Sequence, residues 1–352
     1  MKSLFSKPLI ILVQILVVLV MVEVAARVLF PKFTDDKVFM DRAFSRLLNS
    51  GVRFKPNRDN YSRKFGFTLS ADLETTESTG EYTYTSKTNS LGFRTREIQP
   101  ATEGEYRVLL LGDSMFYGVG VQEPEMVSAV LEEQDPPDLS VYNYSVSGYN
   151  TVQEMIVAET YAESLQPDHI ILGFFIANDV IPNAIAYVDA EGNYSTSAKM
   201  ARAIRSQLKQ SLGVLYHSTA LRIIAHRVYV PRLRYQVANS DEVISRSYAL
   251  LSEFDRFARE RDARFSVVIL YTRDAVQGGM QQAWSNSRAT GELIYSFCRQ
   301  NSIEVLDLVN YMNTAEHKER YFFSEDGHPN VEGNAVIARA IYKDLVEPHS
   351  VR

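Results

Sequence analysis

Ser114 follows Gly112 and Asp113 directly after the apolar run at 107–111. A serine hydroxyl attacks an ester carbonyl only when a neighbouring base takes its proton. Six histidines are available: His169, His217, His226, His317, His328 and His349. His169 opens a buried-type apolar run, His217 and His226 lie in a basic stretch, His317 sits among charged residues, and His349 is in the tail. His328 stands apart, in Glu325-Asp326-Gly327-His328-Pro329-Asn330, between the last strand-like run and the final helical pattern. An acidic residue two or three positions earlier can accept the imidazole Nδ1–H and hold the ring in the right tautomer. Asp326 is the expected acid and Glu325 the alternative.

Acyl transfer also needs donors for a tetrahedral oxyanion. Two further strand ends offer them. Gly148, in Ser147-Gly148-Tyr149-Asn150, lets a backbone N–H approach a substrate closely, and the Asn178 amide, in Ala177-Asn178-Asp179, can donate. Each residue has a structural alternative: Ser114 and Asp113 suit a helix cap, Gly148 a turn and Asn178 a strand-end cap. Four polar features at four strand ends, in the order Ser, Gly, Asn, His, are harder to explain as caps. Phosphate chemistry is disfavoured, because no Gly-Lys-Ser/Thr follows and the stretch from Gly118 to Glu123 lacks the last glycine of a dinucleotide fingerprint. The single cysteine, Cys298, excludes a disulfide framework or a multi-cysteine metal site. No cofactor or metal is expected.

The elements that must position these residues follow from pattern. Apolar runs at 107–111, 139–146, 169–176, 265–271 and 303–309 read as strands, several of them apolar throughout. Helical patterns near 124–134, 150–165, 241–261, 289–300 and 331–347 alternate with them. That alternation predicts an α/β fold with a parallel sheet covered on both faces, ligands binding at the carboxyl ends of its strands. Residues 35–105 are polar, with Thr/Tyr alternation at 82–85 and a turn-like stretch from Thr88 to Phe93; short strands are expected there and no catalytic constellation shows.

In these blocks the sequence resembles the SGNH (GDSL-type) hydrolases across 106–347. Gly112-Asp113-Ser114 is similar to the nucleophile block, Gly148 to the glycine block, Asn178-Asp179 to the asparagine block and Asp326-Gly327-His328-Pro329-Asn330 to the base block, with Gly333 in the helix start that follows. The stretch 88–94 and the hydrophobic amino end look like membrane-attached bacterial members. The resemblance implies a flavodoxin-like three-layer α/β/α sandwich of about five strands and metal-free ester chemistry. Ser114 would be the nucleophile and His328 the base, and the N–H groups of Ser114 and Gly148 with the Asn178 side chain would form the oxyanion hole. Two departures stand out. Ile176 occupies the position where the third block usually carries glycine, and the family's acid usually lies three residues before the histidine, at Glu325, rather than at Asp326.

The expected activity is that of a serine esterase or deacylase working through an acyl-enzyme, on an ester such as an O-acyl group of an envelope glycan or lipid. An O-acyltransferase using a sugar hydroxyl in place of water needs the same residues. A non-catalytic envelope protein retaining the fold is the third reading.

The 352 residues carry a net charge of −6, which argues against a nucleic-acid partner. That total averages over two local extremes. Residues 8–22 are uncharged, and the apolar pattern resumes through Phe30, with Glu23 and Arg27 spaced to pair on a helix. The expected reading of 1–34 is an uncleaved signal anchor with the remainder extracytoplasmic; a cleaved signal ending near Val24-Ala25-Ala26, and hence secretion, is the alternative. Between the third and fourth strands an insertion at about 181–245 includes a stretch, 199–240, with eight basic residues and no acidic one: Lys199, Arg202, Arg205, Lys209, Arg222, Arg227, Arg232 and Arg234. These suit either a solvated helical face or a surface toward anionic lipid. The expected division is therefore anchor (1–34), strand-rich lead segment (35–105) and hydrolase-like domain (106–347).

Overall fold

The computed structural model describes residues 7–48, 61–134, 139–278, 287–313 and 318–350. His317, one of the six histidines, lies outside them. The chain divides into two compact units, residues 1–51 with 199–236, and residues 52–198 with 237–352.

The larger unit begins with a lead segment whose main element is an antiparallel hairpin, β1 (Glu74–Ser78) and β2 (Thr83–Lys87), paired from Glu74 against Lys87 to Ser78 against Thr83. Five parallel strands follow: β3 (Tyr106–Leu111), β4 (Leu139–Asn143), β5 (His169–Phe175), β6 (Arg264–Leu270) and β7 (Glu304–Asp307). Their spatial order is β7-β6-β5-β3-β4. Every residue of β3, β4 and β5 is buried, as strands covered by helices on both faces require. The α/β sandwich and the five-strand sheet thus agree with the sequence pattern. The observed strands are shorter than the apolar runs at β4 and β7. After β4 the Tyr144 and Val146 N–H groups bond to the Leu110 and Gly112 carbonyls at the carboxyl end of β3, and after β7 Leu308 and Val309 belong to the helix Leu308–Asn313. The chain leaves β3 first toward β4 and then returns to the opposite side at β5, so strand order reverses between β3 and β5. In open parallel sheets that reversal opens a crevice at the carboxyl ends of the strands.

The smaller unit is helical. Its first helix, Lys7–Leu29, contains a 19-residue stretch, Ile11–Leu29, long and apolar enough to cross a membrane, with a mean hydropathy of 2.4 in its most apolar window. Glu23 and Arg27 form the expected pair at 2.8 Å. The Glu23 carboxylate also accepts from the Ser218 hydroxyl (2.7 Å) and the Thr219 and Ala220 N–H groups (3.0 and 3.1 Å), so it caps the helix Thr219–Ile224. Asp36–Leu48 buries Phe39, Met40, Ala43 and Leu47, and Ala198–Leu212 buries Ile204, Leu208 and Leu212. The eight basic residues do not form one surface. Arg222 is buried and donates to the Phe33 and Thr34 carbonyls (both 2.9 Å) and to Asp36, while Arg234 is buried and donates to the Leu48 carbonyl at 3.1 Å. Arg205 pairs with Asp41. Lys199, Arg202, Lys209, Arg227 and Arg232 remain exposed.

Candidate active site

Ser114 is the first residue of the short helix Ser114–Tyr117, which starts at the end of β3. Asp113 is its N-cap and accepts from the Met115 N–H at 3.0 Å. The cap is therefore Asp113, which leaves the Ser114 hydroxyl for other partners. The far end of this helix is held by Arg94, a buried residue whose guanidinium donates to the carbonyls of Tyr117 (3.2 Å), Gly118 (2.7 Å), Val121 (2.8 Å) and Thr85 (3.0 Å) and lies over the Tyr84 and Tyr117 rings. Arg94 belongs to the lead segment, which thus ties β2 to the turn carrying Ser114.

His328 lies in the loop after Phe322, closed by the Phe323 N–H donating to the His328 carbonyl (2.9 Å) and the Gly327 N–H donating to the Phe323 carbonyl (3.2 Å). Asn330 then caps the helix Val331–Ile341 by accepting from the Gly333 N–H at 3.1 Å. This geometry brings His328 Nε2 to 2.8 Å from Ser114 Oγ, while its Nδ1 meets Asp326 Oδ1. Ser114, His328 and Asp326 thus form one hydrogen-bonded chain. Glu325 is exposed, and its backbone N–H donates to Glu81 at 2.9 Å. Burial pushes the Asp326 carboxyl up, but hydrogen bonds from His328 and the Tyr82 hydroxyl outweigh it and hold the group below the ordinary carboxylate range.

The other described histidines are elsewhere. His169 is buried in β5, with Nδ1 at 3.2 Å from the Tyr106 hydroxyl and Nε2 at 2.7 Å from the Ser266 hydroxyl; burial lowers its pKa to about 3. His217 is exposed, His226 packs edge-on to Phe33, and His349 lies 3.5 Å from Glu304.

Asn178 follows β5 and is buried. Its amide nitrogen donates to Asp113 Oδ2 and to the Tyr149 carbonyl, both at 3.0 Å. Both N–H groups are therefore engaged, and donating to an oxyanion would mean releasing one. Gly148 occupies the turn before the helix Thr151–Leu165 with φ +88°, a conformation that favours glycine. Ile176, at the departure noted above, is buried and donates its N–H to the Leu270 carbonyl at 3.2 Å.

Three carboxyls lie beneath this layer. In the sequence Asp113 stood out only as a cap and block residue, Asp179 only as a block residue, and Glu154 not at all. Asp113, Glu154 and Asp179 are fully buried. Burial raises the Asp113 pKa to about 6; burial, with the charges of Asp179 and Asp113, pushes Glu154 well above the carboxylate range, and burial with the charge of Asp113 does the same to Asp179. Sequence reading also passed over Glu81 and Tyr82. Tyr82 donates to Asp326 Oδ2 at 3.1 Å across 244 residues of chain, a separation at which no local spacing signals contact. Among the described residues no cluster of His, Cys, Asp and Glu is arranged to hold a metal ion.

Residues 108–341 match the family model of the GDSL-like lipases and acylhydrolases, and the chain belongs to that family. It is a hydrolase acting on ester bonds. No curated protein matches it. Among solved structures it is similar to a lipolytic G-D-S-L family protein from Veillonella parvula (12% identity, TM-score 0.41, covering 68% of this chain and 98% of that one). It is likewise similar to a lipase/acylhydrolase from Enterococcus faecalis (10%, 0.41, 69% and 96%) and to the psychrotrophic esterase EstA from a Pseudoalteromonas species (12%, 0.37, 69% and 98%).

Proposed function

We propose that this protein is a membrane-anchored serine esterase whose nucleophile is Ser114. The observation that carries the reading is the continuous chain from Ser114 Oγ through the His328 ring to Asp326. His328 Nε2 takes the hydroxyl proton as Ser114 Oγ bonds to the ester carbonyl carbon. Asp326 holds Nδ1–H and stabilises the imidazolium. The tetrahedral oxyanion is met by the N–H groups of Ser114 and Gly148 and by the Asn178 amide, which exchanges an internal acceptor for it. Collapse expels the alcohol, protonated by His328, and leaves an acyl-serine. Water, deprotonated by the same ring, then releases the acid and restores the hydroxyl. The acyl group sits on an envelope glycan or lipid in this reading.

Labelling with an organophosphonate tests it. The full chain in detergent takes up the probe at Ser114, whereas Ser114→Ala and His328→Ala do not. A folded parent that remains unlabelled overturns the assignment.

The same three residues also serve a second outcome, transfer of the acyl group from the acyl-serine to a sugar hydroxyl instead of water. A sugar acceptor added to the assay then yields acylated sugar at the expense of free acid.

We also propose that the helix Lys7–Leu29 remains attached as an anchor, with the larger unit extracytoplasmic. The exposed Arg202, Lys209, Arg227 and Arg232 and the exposed apolar residues Val214, Ile224 and Val228 of the same helical unit rest on anionic lipid. Replacing those four basic residues with glutamine weakens binding of the chain lacking residues 1–34 to phosphatidylglycerol vesicles at low salt; unchanged binding sinks this part.

A further inference from the structure

Ser324, Glu325 and Asp326 are exposed, and the loop's own bonds, at Phe323, Gly327 and His328, leave these three backbone N–H groups without partners inside it. All three are taken by one side chain from the distant lead segment. Glu81, in the turn between β1 and β2, accepts from the N–H groups of Ser324 (2.5 Å) and Glu325 (2.9 Å) and the Ser324 hydroxyl (2.7 Å) with Oε1, and from the Asp326 N–H (2.8 Å) with Oε2. Successive N–H groups converging on one anion form a rigid nest. Burial raises the Glu81 pKa, but these four donors outweigh it, so the group lies below the usual range and stays charged at neutral pH.

The next residue completes the arrangement. The Tyr82 hydroxyl donates to Asp326 Oδ2, and His328 meets Oδ1, so each carboxylate oxygen has its own donor. The Tyr82 ring packs on Phe323 with centroids 4.7 Å apart. Gly120 makes room for this pair, since a Cβ there would stand 2.5 Å from the Phe323 ring and 3.0 Å from the Tyr82 ring. On the other side Arg273 donates to the Phe323 carbonyl at 3.1 Å and to that of Ser324.

We propose that Glu81 and Tyr82 are positioning residues for the catalytic acid: Glu81 fixes the backbone of 324–326, and Tyr82 turns the Asp326 carboxylate so that Oδ1 faces His328. This rests on the reading of Ser114, His328 and Asp326 as the catalytic chain. The lead segment is then a working part of the site.

The test uses the full chain in detergent, with rates expressed per Ser114 titrated by phosphonate, so that loss of folded protein is normalised away. A hydrogen bond to a charged group is worth a factor of about ten or more, so Tyr82→Phe and Glu81→Gln each lower kcat roughly tenfold on a short-chain ester, with KM unchanged. A double-mutant cycle separates positioning from a structural role: in an Asp326→Ala background Tyr82→Phe costs nothing further. Variants with the parental kcat, or an equal loss from Tyr82→Phe with and without Asp326, overturn the proposal while leaving a labelled Ser114 intact as the nucleophile. A folded parent that is not labelled at Ser114 overturns both.

Discussion

Replacing Asp326 and Glu325 separately with alanine discriminates between two carboxylates one residue apart. Asp326 Oδ1 meets His328 Nδ1, whereas Glu325 is exposed and engages Glu81 through its backbone, which alanine preserves. Where the acid of such a chain is fully buried, disabling it lowers kcat about 10⁴-fold, or roughly 5.4 kcal/mol at 1.36 kcal/mol per tenfold. Here the Asp326 side chain is 30% exposed and that of His328 12%, so water can partly hydrate the freed Nδ1–H. Discounting for that screening leaves an expected loss of about 10²–10³ for Asp326→Ala, roughly 3–4 kcal/mol. Glu325→Ala stays within about threefold, since surface substitutions are usually small in effect. Initial rates on a short-chain p-nitrophenyl ester, normalised to phosphonate-titrated Ser114, measure both. Equal modest losses, or a larger loss at Glu325, refute the reasoning from geometry.

Asn178→Ala removes a side-chain donor and leaves the Asp113 and Tyr149 acceptors unpaired; kcat falls by about 10²–10³ in steady-state assays. Arg94→Met empties four carbonyl contacts in a buried site and is expected to cost about 3 kcal/mol of unfolding free energy in urea titrations. His169 predicts an acid sensitivity. Its pKa of about 3 in the fold lies below the ordinary 6.5, so the unfolded chain binds the extra proton, and stability present above pH 6.5 is lost as pH falls toward 3. From pH 6.5 to 5 the parent should lose about 2 kcal/mol more than His169→Gln; parallel thermal midpoints across that range would refute it.

Much of the fold was legible because burial leaves a direct mark on sequence. Strands covered on both faces must be apolar throughout, as in Val108–Leu111 and Ile170–Phe175, and the helices between them keep their own period. The family blocks carried Ser114, Gly148, Asn178 and His328; the first three follow the ends of β3, β4 and β5, whereas His328 lies in a loop well beyond β7, after the helix Leu308–Asn313. Which carboxylate reaches the imidazole was not decided by spacing, since residues two and three positions before a histidine both have the reach. The loop held by Glu81 turns Asp326 inward and Glu325 outward. Charge counting was likewise incomplete at the insertion: eight basic residues read alike in one dimension, yet Arg222 and Arg234 are interior braces while five of the other six are exposed. Sequence by itself determined the layered α/β architecture, the apolar amino-terminal helix and the family blocks that contain Ser114 and His328, because these rest on local pattern and residue type. Only the tertiary structure decided the partners of Asp326 and Asn178 and the contacts of the lead segment with the 324–326 loop, because contacts across as many as 245 residues depend on where the chain folds back and leave no periodic trace along it.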